Sequence, residues 1–97
     1  MDESNHTSPP AADVHRAIAV LKPELAWAED AGTFGEKVMV RVDELTTLAG
    51  LLPGGTPEHA EIDAAVQASC DRGSSHAIIA TTTLRTVITN ATAHLGK

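Results

Sequence analysis

The chain has 97 residues, a length that fits one domain with one modest core. Its formal net charge of −6 excludes non-specific nucleic-acid binding through bulk charge, leaving room only for a local basic face. A single cysteine, Cys70, excludes an internal disulfide, and no apolar run reaches the length of a membrane span.

The lone cysteine fits a reducing cytoplasm, and the acidic N-terminus lacks the apolar centre of a secretory signal. With one Trp, one Phe and no Tyr, the core must be built from Ala, Val, Leu and Ile. Such a core buries little area per residue, so self-association as a homodimer is one expected source of stability. High Ala, Thr, Val and Asp usage with few Lys hints at a high-GC genome and a bacterial or phage context.

Residues 1–10 read as a disordered tail, ended by Pro9 and Pro10, and 11–97 as a single small domain. Val14, Ile18, Leu21, Leu25 and Ala28 recur at steps of four and three and define one helix face. The stripe keeps its phase across Pro23, which favours one helix kinked there over two helices. Gly32 offers a C-terminal cap. Trp27 falls off the stripe, as the edge of a core or as an exposed anchor for a partner; core edge is the reading preferred.

Lys37 to Leu52 organises the chain. Val38, Val40 and Val42 alternate with Lys37, Met39 and Arg41, the pattern of a strand with one buried face. The same residues also fit one helix over 36–52. Clustered valines and Asp43 as an N-cap favour a strand followed by a helix carrying Leu45, Leu48, Ala49 and Leu52 inward. Pro53-Gly54-Gly55 ends that helix. Thr56-Pro57-Glu58 starts the next, with Ile62, Ala65, Val66 and Ser69 on its inner face and Gly73 at its end. His76–Ala80 reads as a second strand. Thr81 or Thr82 then caps a last helix that buries Leu84, Val87, Ile88, Ala91 and Leu95. The fold expected is α+β, mostly helical, in the order helix, strand, helix, helix, strand, helix. An all-α bundle is the alternative.

No residue group assembles a catalytic or metal signature. His59 and Asp63 share a helix face with no third ligand placed by spacing, and read as solvated. Cys70 and His76 flank the Gly73 turn as a nucleophile and base would. Asp71 opposes thiolate formation there, and Cys70 is expected to be buried or half-buried and inert. Gly54-Gly55-Thr56-Pro57 precedes a helix start but lacks the lysine and glycine spacing of a phosphate loop. The expectation is a protein that is not an enzyme, with no cofactor, no metal and no small-molecule substrate.

If the valines face inward, Lys37, Met39 and Arg41 face outward together. A two-stranded ribbon with such a face enters a DNA major groove, where Lys and Arg reach guanine edges and phosphates. On these residues, residues 37–71 resemble the ribbon-helix-helix family of DNA-binding regulators and antitoxins. The resemblance rests on the alternating strand, the Asp43-Glu44-Leu45 helix start, the turn at Gly55-Thr56, and Ile62, Ala65 and Val66 at core spacing. It implies a dimer whose strands pair with each other, with Lys37, Met39 and Arg41 facing bases and Thr56 near a phosphate. The chain departs from the family in lacking a proline after the strand, in carrying Glu58 and Glu61 on the second helix, and in continuing into a further strand and helix. The other function expected is an acidic protein-interaction module, a bacterial or phage accessory protein. Its contact would be the first helix, through Ile18, Leu21, Leu25 and Trp27.

Overall fold

A computed structural model describes residues 9–96 and, at 33 and 34, the backbone alone. Of the expected tail, residues 1–8 lie outside the described residues. The fold is a mostly helical α+β domain: α1 (Ala11–Asp30), a short 3-10 turn (Gly32–Gly35), β1 (Lys37–Arg41), α2 (Val42–Ala49), α3 (Pro57–Arg72), β2 (His76–Ala80) and α4 (Thr81–Leu95). No helix among the described residues is long and apolar enough to cross a membrane.

Helix α1 is a single helix that runs through Pro23. Its phase is held by packing: Val14, Ala17, Leu21 and Ala28 are buried. After Ala31 the chain turns out at Gly32, in the left-handed region at φ 65°. Gly35 then passes so close to α1 that a side chain there would collide with the carbonyl of Ala28.

The two strands pair antiparallel within the chain, with Met39 opposite Ile78 at the centre and Arg41 opposite His76. Val38 and Val40 of β1, with Ala77 and Ile79 of β2, face the core. Alternation therefore produces a half-buried ribbon, as its period of two requires.

Both strands pass into a helix with no intervening residue, and the two junctions repeat one pattern. The N–H of Val42, first in α2, donates to the Ser75 carbonyl at 2.9 Å, and that of Thr81, first in α4, donates to the Glu36 carbonyl at 3.0 Å. Each helix then buries a leucine at its fourth position, Leu45 and Leu84. Around this arrangement α1 packs against α2, α4 and β1, and α3 against β2 and α2.

Three boundary details correct the sequence reading. Asp43 is not an N-cap: α2 begins one residue earlier, at Val42, and no side chain caps it. Asp43 and Glu44 instead lie in its first turn, where carboxylates favour the positive end of the helix dipole. Helix α2 also stops at Ala49, before Leu51 and Leu52, which stay half-buried in the following turn. Neither Thr81 nor Thr82 caps α4; the Thr81 hydroxyl donates to the Gly35 carbonyl.

Helix α3 starts and stops as its sequence dictates. The Thr56 hydroxyl accepts from the His59 N–H at 3.3 Å, and Pro57 fills the first position. At the other end Gly73 takes φ 69° and Ser74 N–H returns to the Ser69 carbonyl at 2.9 Å. Ser69 is fully buried, and its hydroxyl is satisfied by the Ser74 carbonyl at 2.6 Å.

Candidate interaction surface

The ribbon's outward face carries Lys37, Met39 and Arg41 from β1 and His76, Ile78 and Ala80 from β2. The three large apolar side chains most exposed among the described residues are Trp27 at 60%, Met39 at 56% and Ile78 at 47%. They are adjacent. Met39 faces Ile78 across the ribbon, and Trp27 shares with Met39 a groove between α1 and β1 that Glu24, Lys37 and Val38 also line. Scattered exposed apolar residues are common on protein surfaces; these three adjoin one another.

Charged groups border this patch. Arg41 Nε donates to Glu44 Oε1 at 3.0 Å across the β1–α2 junction. Lys37 has no ion-pair partner among the described residues. His76 is half-buried, its Nδ1 3.2 Å from the Ser75 hydroxyl.

The structure redistributes the residues expected to make contacts. Trp27 is exposed, which corrects its preferred placement at a core edge: it falls outside the buried stripe of α1 and projects beside β1. Leu21, by contrast, is fully buried, and Ile18 and Leu25 pack half-buried against the core. The apolar face of α1 is spent inside the domain, so only Trp27 of that group is presented outward. Ile78 was missed because an uninterrupted apolar run does not reveal which of its residues face out; the register with Met39 does.

Thr56 lies on the loop before α3, and both roles of its hydroxyl are used: it accepts from His59 N–H and donates to the Pro53 carbonyl at 3.1 Å.

Cys70 is exposed, which corrects its expected burial: the inward positions of α3 are held by Ile62 and Ser69. No hydrogen bond joins it to His76. His59 Nδ1 and Asp63 Oδ2 are 3.1 Å apart on the α3 surface. Glu29 Oε2 meets Arg85 Nε at 2.6 Å and ties α1 to α4.

The fold class is thus a small, mostly helical α+β domain built on a two-stranded ribbon. Comparison with family models, with curated proteins and with solved structures finds no match to this chain.

Proposed function

We propose that this protein is a small non-catalytic binding module that engages another protein through the outward face of its ribbon. Trp27, Met39 and Ile78 are its apolar contacts, and Lys37 and Arg41 its charged border. The observation that carries this is that exposed Met39 and Ile78 face each other on the ribbon while exposed Trp27 lines a groove beside Met39. Aromatic, Met and aliphatic anchors beside arginine are the composition of protein-contact centres. Pairing of β1 with β2 in one chain gives the ribbon without a second copy.

The test is affinity capture from the producing cell with the native protein and with a Met39→Asp/Ile78→Asp variant of matched melting temperature. A specific protein recovered by the native chain, resistant to nuclease, and reduced at least about tenfold by the variant is expected. Equal recovery by both, or recovery abolished by nuclease, contradicts the proposal.

A second reading is a DNA-binding regulator of the ribbon-helix-helix kind. It is favoured by the outward alternation of Lys37, Met39 and Arg41 on an antiparallel ribbon whose strands each run into a helix. Weighing against it, β2 contributes His76, Ile78 and Ala80 in place of a second basic strand, so the face carries two cations where a symmetric dimer would carry four. Duplex binding at low salt, lost in Lys37→Ala/Arg41→Ala, would select this reading. Its absence leaves the protein-binding module.

A further inference from the structure

The hydrogen-bond geometry of the ribbon fixes which way its backbone groups point. Glu36 with Thr81 and Ser75 with Val42 are bonded across the strands. By alternation, Val38 with Ile79 and Val40 with Ala77 are the hydrogen-bonded pairs, and Lys37, Met39 and Arg41 fall in the non-bonded pairs. The N–H and C=O of Met39 therefore point away from β2, toward the outer edge of β1.

The two outer edges are treated differently. That of β2 is closed by side chains at both ends, and only its central residue, Ile78, lacks a partner among the described residues. Ala80 N–H donates to Glu61 Oε2 at 2.8 Å, His76 N–H donates to Ser74 Oγ at 3.1 Å, and the His76 carbonyl accepts from Arg72 at 3.4 Å. Along the outer edge of β1, Lys37 and Met39 have no such backbone partner among the described residues. Beside that edge runs the open groove walled by Trp27 and Glu24.

We infer that the free edge of β1 receives an extended acidic segment of a partner protein, which adds to the ribbon as a third strand. This rests on the reading of the ribbon as a protein-binding surface and specifies the partner. Main-chain bonds to Met39 supply the attachment, and alternate side chains of the segment lie beside Lys37, Met39 and Arg41. Among the described residues Lys37 has no ion-pair partner and Arg41 engages Glu44 through Nε alone, so both have donors left for carboxylates. A segment reading acidic, any, apolar, any, acidic matches that row. A second copy of β1 does not: laid antiparallel about Met39, it sets Lys37 of each chain beside Arg41 of the other, and like charges so placed repel. Trp27 forms the apolar wall against which the added strand rests.

The test uses the intact protein and two synthetic peptides, acetylated Thr-Asp-Thr-Val-Thr-Asp-Thr and its counterpart with Lys at both Asp positions. NMR follows binding and amide exchange. The acidic peptide is expected to bind at least about tenfold more tightly than the basic one and to slow exchange of the Met39 amide about tenfold. Met39→Pro removes the outward N–H without touching the bonded pairs, and should weaken binding about tenfold beyond Met39→Ala. Resonances that shift at Trp27 and Ile78 with Met39 exchange unchanged would overturn strand addition while leaving the contact face intact. Equal binding of the two peptides, no binding of the acidic one, or sedimentation showing that copies of the chain occupy the edge would each overturn the inference.

Discussion

Met39 and Ile78 stand opposite each other at the centre of the ribbon, both on its outward face. As a non-bonded pair their side chains approach closely and form one apolar surface in water. Neither contributes to the core beneath, which Val38, Val40, Ala77 and Ile79 supply. Met39→Thr and Ile78→Thr should therefore change unfolding free energy by no more than about 0.5 kcal/mol. Capture of a protein partner should fall with each substitution. Denaturant melts read beside the capture assay check both halves.

Leu21 and Trp27 separate stability from contact on a single helix. Leu21 is 0% exposed and Trp27 is 60% exposed. Leu21→Ala is expected to cost about 3 kcal/mol, from lost transfer energy and the cavity left behind. Trp27→Ala is expected to stay within about 0.5 kcal/mol of the native chain and to weaken partner binding. Urea unfolding of the two variants is the check.

Glu61 does for α4 what no local side chain does. Its carboxylate, reaching from α3, accepts from Ala80 N–H at 2.8 Å and from the Thr83 hydroxyl at 2.6 Å. A negative group at a helix N-terminus is favoured by the dipole and by the open N–H groups there. Glu61→Ala should cost about 1–2 kcal/mol. In a double-mutant cycle Glu61 and Thr83→Val should couple by at least about 0.5 kcal/mol, since the pair shares one hydrogen bond.

Gly35 is fixed by a close approach, not by an unusual backbone angle. A Cβ there would overlap the Ala28 carbonyl oxygen, whereas one at Gly54 meets nothing within 4 Å. Gly35→Ala must push the 3-10 turn off α1 and should destabilise by about 3 kcal/mol. Gly54→Ala should stay within about 0.5 kcal/mol of the native chain. Thermal unfolding of the two alanine variants distinguishes them.

Much of this fold was legible because local patterns and tertiary packing agree. The period-two valines gave β1, the stripe from Val14 to Ala28 gave α1, and Thr56-Pro57 with Gly73 bounded α3. What was not legible depends on distant partners. Asp43 and Thr82 look like caps in isolation, yet each helix starts directly on its strand because Val42 and Thr81 find carbonyls on the opposite strand. In the sequence Glu61 reads only as a departure from the ribbon-helix-helix pattern, because its partner Thr83 lies on the distant helix α4. At the surface, Lys37, Met39 and Arg41 were read as outward from alternation alone. Ile78 required the register, and Trp27 required the position of α1 beside β1.

The most direct test is photo-crosslinking from two positions. One photoreactive residue replaces Ile78 on the ribbon face, and another replaces Thr89, exposed on α4. Both variants are irradiated in the producing cell. A discrete adduct to one other protein from position 78, with none from position 89, is the expected result. An adduct from position 89 with none from position 78 would contradict the assignment of the ribbon face as the contact surface.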